Sequence, residues 1–198
     1  PRLVVPIGHT DLITSIAISP DGKYILTGSY DQTAKLWDLN GREIQTFTGY
    51  EYIVSSVAFS PDGTRVLIGS LDGTISLMNL KGHKIQSYPK QNRGVTSVVF
   101  SPDGKMILTG SWDSTAKLWD LTGNLVQSFS GHMDNVTSVV FSPDGKMILT
   151  GSFDTTAKLW NLKGQIIKTF AGHSSYVNAV AFSPNGKMVL TGGIGNEV

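Results

Sequence analysis

The chain has 198 residues, room for a substantial core in one or two domains, but only 16% of them are charged. Soluble domains usually carry ~25%, so many positions must press on neighbours instead of on water. A net charge of +1 with no basic stripe gives no reason to expect nucleic acid or an anionic membrane, and the absence of cysteine excludes a disulfide framework or a thiolate metal site. No apolar run approaches the ~18 residues of a membrane helix and no signal peptide is visible, so the expected location is cytoplasmic. The chain opens on Pro1 without an initiator Met, which suggests a processed or excerpted polypeptide.

In chain order, Leu3–Val5 is a short apolar run whose register matches Ile44–Thr46, Leu125–Gln127 and Ile166–Lys168. The first full unit then reads as four strands, Ile13–Ile18, Tyr24–Ser29, Thr33–Asp38 and Ile44–Phe47. Between them lie Ser19–Gly22, Tyr30–Gln32 and Asn40–Gly41, which together describe an antiparallel meander. The turn at Ser19–Gly22 returns at Ser60–Gly63, Ser101–Gly104, Ser142–Gly145 and Ser183–Gly186, always 41 residues on. Proline presets φ at the second corner, and Asp or Asn bonds its own backbone at the third. A fixed period of this size means a repeat architecture, with units at about 8–48, 49–89, 90–130, 131–171 and a partial 172–198. Residues 1–7 then read as the outer strand of a closing unit. No segment has a helical apolar period.

The second strands, such as Met106–Ser111 and Met147–Ser152, are too continuously apolar to have a wet face. Four-stranded units cover both faces by stacking around an axis, so the predicted fold is an all-β propeller of four complete blades and a partial fifth.

At this point the chain resembles the WD-repeat family of propellers over essentially its whole length. The first repeat carries Gly8–His9, Ser19–Gly22, Ser29, Asp31 and Trp37–Asp38. The fourth carries Gly131–His132, Ser142–Gly145, Ser152, Asp154 and Trp160–Asn161. The third keeps Ser111, Asp113 and Trp119–Asp120 but has Lys90–Gln91 for Gly–His, and the second has Tyr50 for His and Met78–Asn79 for Trp–Asp. Val95–Ser111 and Val136–Ser152 are identical letter for letter, a habit of bacterial members of the family.

His9, Ser29 and Asp31 could pass for a hydrolase triad, but the set recurs as His132, Ser152 and Asp154, while an active site needs one copy in one pocket. The resemblance implies a structural chain in each blade, running from Trp through Ser and His to the Asp of the tight turn. Its members would be His9, Ser29, Asp31 and Trp37; Ser111, Asp113 and Trp119; and His132, Ser152, Asp154 and Trp160. No metal site is expected, because His9, His132 and His173 share one slot in different repeats and His83 sits in a turn without a co-ligand. Gly192, Gly193 and Gly195 lack the strand and helix of a phosphate loop, and no cofactor is expected.

The residue before each tight-turn Asp is large and apolar: Tyr30, Leu71, Trp112 and Phe153, with Ile194 in the fifth unit. The resemblance places these turns on the narrow face around the channel, the usual partner surface. A ring of apolar side chains there is a candidate protein- or peptide-binding patch, unless the side chains fold over the next blade. Two further slots vary between repeats, Leu12 and Thr14, Ile53 and Ser55, Gly94 and Thr96, Asn135 and Thr137, Tyr176 and Asn178. The expected function is therefore a non-enzymatic scaffold that binds a polypeptide, and neither nucleic acid nor a membrane. Its alternatives are the docking end of a larger multidomain effector, or an enzyme using the central channel. Finally, the fifth unit reaches its second strand at Met188–Gly192 and ends as a third would begin. Either a longer propeller or self-association with a second chain would then complete the ring.

Overall fold

A computed structural model describes residues 8–193. Leu3–Val5 and Ile194 lie outside them. The first blade consists of β1 (Ile13–Ile18), β2 (Tyr24–Ser29), β3 (Ala34–Asp38) and β4 (Glu43–Phe47). The second has β5 (Val54–Phe59), β6 (Arg65–Ser70), β7 (Ile75–Asn79) and β8 (Lys84–Ser87). The third has β9 (Val95–Phe100), β10 (Met106–Ser111), β11 (Thr115–Asp120) and β12 (Leu125–Ser130), and the fourth β13 (Val136–Phe141), β14 (Met147–Ser152), β15 (Ala157–Asn161) and β16 (Ile166–Phe170). The fifth has β17 (Val177–Phe182) and β18 (Val189–Gly193). Each blade is an antiparallel meander in sequence order, so the all-β propeller architecture holds. The third strand of the first blade starts at Ala34, one residue later than the sequence suggests. The last strand runs from Val189, one residue later than the sequence suggests.

Local chemistry sets the hairpins. In each Ser-Pro-Asp/Asn-Gly turn the Gly amide bonds the Ser carbonyl at 2.8 Å, and Gly22, Gly63, Gly104, Gly145 and Gly186 take φ of 68–70°. That left-handed conformation is what glycine supplies without steric cost. The Ser hydroxyl meanwhile bonds the Asp or Asn side chain at 2.5–2.8 Å, closing the turn. At the opposite end, β1 pairs with β2 through a bulge between Ile13 and Ser15, and the same irregularity recurs in every blade. The bulge adds local twist where the inner strand enters the sheet.

The core lies between blades. Leu26, Ala34, Leu36 and Phe47 of the first blade pack with Tyr50, Val54, Val57, Val66, Ile68 and Met78 of the second. The next layers repeat this with Leu67 against Val98 and Ile107, and with Leu108 against Val139 and Ile148. Second strands are thus covered on both faces, which accounts for their unbroken apolar runs.

Glycine makes this stacking possible. A Cβ on Gly28 would lie 2.8 Å from Val54 Cγ1, on Gly69 2.7 Å from Val98 Cγ1, on Gly110 3.0 Å from Val136 Cγ1 and on Gly151 2.9 Å from Val177 Cγ1. Each glycine is therefore a socket for the first valines of the next inner strand. Hydroxyls add direct links between blades. Thr14, Ser55, Thr96 and Thr137 donate to the carbonyls of Val54, Val95, Val136 and Val177 at 2.5–2.6 Å. Those four side chains were candidates for a variable outer slot; they are clasps between blades instead.

Candidate partner-binding face

Loops joining second to third strands, and those leading into each inner strand, share one end of each of the first four blades. Within the fourth blade a hydrogen-bonded chain crosses this end. Trp160 Nε1 donates to Thr150 Oγ1 at 2.9 Å, Thr150 Oγ1 lies 2.7 Å from His132 Nε2, and His132 Nδ1 lies 2.7 Å from Asp154 Oδ2. The first blade repeats it through Trp37, Thr27, His9 and Asp31 at 2.8, 2.6 and 2.8 Å. The linking hydroxyl is threonine, which corrects the expected chain through serine. Ser29, Ser111 and Ser152 instead accept the backbone N–H of Asp31, Asp113 and Asp154 and donate to a loop carbonyl. Serine thus fixes the turn, and threonine joins Trp to His.

The directions of these bonds are set by charge. Burial resists the ionisation of Asp154, but donors from Thr156, the Met133 amide and His132 outweigh it and hold the carboxyl at about 2. Burial likewise opposes the charge on Asp31, which Thr33, His9 and the Thr10 amide bring to about 2. Burial also pushes the His132 ring below its ordinary value, against the upward pull of Asp154. A neutral ring beside an acceptor-only carboxylate carries its proton on Nδ1, leaving Nε2 to accept from Thr150. Every polar group in the chain then has a partner.

The other blades keep the slot and change its chemistry. In the third, Gln91 takes the place of His; its Nε2 donates to Thr109 Oγ1 at 2.8 Å, and Lys117 Nζ bridges Gln91 Oε1 and Asp113. Trp119 still donates to Thr109 at 3.1 Å. In the second, His, Thr and Trp are exchanged as a set for Tyr50, Ile68 and Met78, all buried, and the Tyr50 hydroxyl bonds the Ser76 side chain. Among the described residues no group of three or more His, Cys, Asp or Glu is placed to hold a metal ion. His173 sits in its own blade, 2.8 Å from Thr191.

The apolar positions before the turn aspartates sit on this same end. Tyr30, Leu71, Trp112 and Phe153 each donate their backbone N–H to the residue before the inner strand, namely Leu12, Ile53, Gly94 and Asn135. The two sequence slots are therefore adjacent in space. Their side chains divide into two kinds. Tyr30, Trp112, Leu12 and Tyr176 are exposed, whereas Leu71, Ile53, Asn135 and Phe153 are half-buried. Phe153 stacks on Tyr176 of the next blade with centroids 4.4 Å apart, so part of the ring does seal a blade junction. Trp112 lies over Gly94, where a Cβ would meet its ring at 3.0 Å, and keeps its outer face free. Beside it a shallow depression between the second and third blades is lined by Glu51, Tyr52, Leu71, Asp72, Lys90 and Trp112. Sequence reasoning missed Tyr52 and Met133, both strongly exposed on the neighbouring loops. Neither recurs at its slot, so periodicity could not single them out.

Comparison with known proteins adds the repeat grammar. The model of the WD40 family (WD domain, G-beta repeat) matches five times, at residues 2–38, 41–79, 76–120, 123–161 and 164–198. The first four windows end on Asp38, Asn79, Asp120 and Asn161, so they run one strand out of phase with the blades. A "Ribosome biogenesis protein BOP1 homolog" from Aedes aegypti is 54% identical over 33 residues, 17% of this chain and 4% of that protein. Proteins of the same description from Drosophila grimshawi and Drosophila ananassae are 50% identical over 40 residues, 20% of this chain and 5% of each relative. The matched part of the chain thus spans only 4–5% of the length of these curated relatives, about one repeat. These are insect proteins, and they lend no support to a bacterial source.

Proposed function

The chain belongs to the WD40 family of G-beta repeats, and on that premise we propose that it is a non-enzymatic scaffold that holds a polypeptide on the face bearing Tyr30, Leu71 and Trp112. Domains of this family generally serve as protein-interaction platforms. The observation that carries the reading is the exposure of Tyr30 (45%) and Trp112 (36%) on turns whose backbone bond to the inner-strand loop is the same in the first four blades. A rigid, repeated turn that presents a different large side chain in each blade is a means of building a non-uniform surface on a uniform scaffold. Aromatic anchors beside a shallow depression suit a polypeptide. The polar groups near the channel support this reading over catalysis, because the histidines and turn aspartates satisfy one another within blades. The role in ribosome biogenesis printed for the relatives rests on proteins that share one repeat with this chain, and one repeat carries a fold unit, not a partner.

A displayed random-peptide library tests the proposal. Selection on the wild-type chain should enrich a sequence motif, and Trp112→Asp should weaken capture of that peptide at least about tenfold with the melting temperature within ~3 °C of wild type. A library that yields no motif, or a peptide held equally by Trp112→Asp, overturns it.

A further inference from the structure

Two Asn-Gly steps occur in the chain, Asn40–Gly41 and Asn185–Gly186, and the fold makes them a matched pair. In both, Asn stands at the third corner of a tight turn and Gly at the fourth. Gly41 N–H bonds the Asp38 carbonyl at 3.0 Å and Gly186 N–H the Ser183 carbonyl at 2.8 Å, with φ of 75° and 69°. A cation follows each step, Arg42 and Lys187. Both asparagines are exposed, and so are the residues at the same corners of the inner blades, Lys81, Thr122 and Lys163, and Asp62, Asp103 and Asp144. Exposure therefore belongs to the turns, not to the place of a blade in the array.

The side chains differ. Asn185 Oδ1 accepts from Ser183 Oγ at 2.8 Å and from Lys187 N–H at 3.0 Å, so its amide is pinned within the turn. Asn40 has no such hold, and its side chain bonds none of the described residues. The first corner is the cause. Ser183 has a hydroxyl to donate, whereas the Asp38 carboxylate only accepts, and its Oδ1 takes both the Asn40 and the Arg42 N–H at 2.9 Å. Arg42 N–H is the counterpart of the Lys187 N–H that pins Asn185, and it is already engaged.

We propose that Asn40 is a site of spontaneous covalent modification, converting in water to aspartate and isoaspartate, while Asn185 is protected. The Gly41 amide nitrogen gives up its proton and attacks Asn40 Cγ; the Cγ–Nδ2 bond breaks and ammonia leaves, closing a succinimide ring. Water then opens the ring. Aspartate results when the Cγ–N bond breaks, and isoaspartate when the bond from the Asn40 backbone carbon to Gly41 N breaks. Glycine favours the attack because no Cβ crowds its nitrogen. The side chain must turn until Cγ faces that nitrogen, and Asn40 can turn without breaking a bond, whereas Asn185 must first give up two. Either product puts a second carboxylate beside Asp38. Isoaspartate also lengthens the backbone by one atom between Leu39 and Gly41, inside the loop that Asp38 N–H and the Arg42 carbonyl close at 3.0 Å ahead of β4.

The test holds the full chain folded at mildly alkaline pH and, in parallel, unfolded in guanidinium chloride, and follows both asparagines by mass spectrometry of tryptic peptides with fragmentation. Unfolded, the two should convert at similar rates, because Gly follows both. Folded, Asn40 should convert at least about tenfold faster than Asn185, which has two hydrogen bonds to break before it reacts. Ser183→Ala removes one of those bonds and should speed conversion of Asn185. An Asn40 that stays intact in the folded chain while the unfolded chain converts overturns the proposal. So does an Asn185 that keeps pace with it, or one whose rate Ser183→Ala leaves unchanged.

Discussion

Thr150 offers the sharpest test of the network, because Thr150→Val changes no shape and removes one hydroxyl. The side chain is fully buried, and its oxygen accepts from Trp160 Nε1 at 2.9 Å and faces His132 Nε2 at 2.7 Å. Valine strands both groups where water cannot reach them. Each buried unsatisfied group costs ~1–3 kcal/mol, which puts the loss for the two at about 2–6 kcal/mol. For a chain of this size, at about 2–4 °C per kcal/mol, that is a fall in melting temperature of roughly 4–24 °C. The second blade supplies the control, since it holds Ile68 at this slot together with Tyr50, Ser76 and Met78. In a background carrying His132→Tyr, Lys158→Ser and Trp160→Met, the donor and the acceptor that need Thr150 are both gone, and Thr150→Val should then cost under ~1 kcal/mol. Urea denaturation of the four proteins measures this, with circular dichroism and fluorescence together so that a blade melting alone is seen as non-coincidence. A loss under ~0.5 kcal/mol in the wild type, or equal losses in both backgrounds, refutes the network.

Three further outcomes follow from the same geometry. Because burial holds the His132 ring below the ordinary 6.5, the unfolded chain binds more protons than the folded one as pH falls through that value. Stability should therefore be present above about pH 6.5 and decline below it. That part of the decline should vanish in His132→Gln, which copies Gln91; identical urea midpoints for the two proteins from pH 7.5 to 5.5 would contradict it. A second decline, through Asp31 and Asp154, belongs between about pH 4 and 2, because both carboxyls are brought from 3.8 to about 2 by folding. Tyr88 has a buried hydroxyl without a partner and lies edge-on to Trp119, while Phe47, Phe129 and Phe170 fill the same slot in other blades. Tyr88→Phe should raise stability by ~1 kcal/mol, read as a higher urea midpoint, and a lower midpoint would show that the hydroxyl is in fact satisfied. Gly69→Ala places a methyl 2.7 Å from Val98 Cγ1 and 2.9 Å from Val95 Cγ1 and should cost ~1–3 kcal/mol in thermal unfolding; a neutral result would mean that the blades can part without penalty.

The strands and blades were legible because the period is strict and each turn announces itself in sequence. What the sequence hid was which hydroxyl joins Trp to His. Ser29 and Thr27 are two residues apart on one face of β2, and both recur, so position alone does not choose between them. The chain nonetheless contains the deciding signal. In the second repeat His, Trp and the threonine are all absent, replaced by Tyr50, Met78 and Ile68, whereas the serine persists as Ser70. A residue that disappears with its partners is bonded to them; one that stays behind serves something else, here the N–H of Asp72 at 3.2 Å. The partner face was less legible, since exposure depends on the next blade: Phe153 and Trp112 occupy one slot, yet Phe153 stacks on Tyr176 of the next blade whereas Trp112 lies over Gly94 of its own.

The glycine sockets show the remaining limit. Gly28, Gly69, Gly110, Gly151 and Gly192 stand in phase in the sequence, as do the paired valines and Ile13 with Ile16. Spacing alone cannot say that the glycine of one repeat faces the branched pair of the next, because that contact crosses between sheets. Once one such contact is known, the other three follow. Stability in a stacked array is a sum of unit terms and nearest-neighbour interfaces. The second, third and fourth blades each share such a packed layer with the blade before and the blade after. Trp160 shows what that layer supplies: it is completely enclosed, packed with Leu118 and Phe129 of the third blade, whereas Trp37 is half-buried.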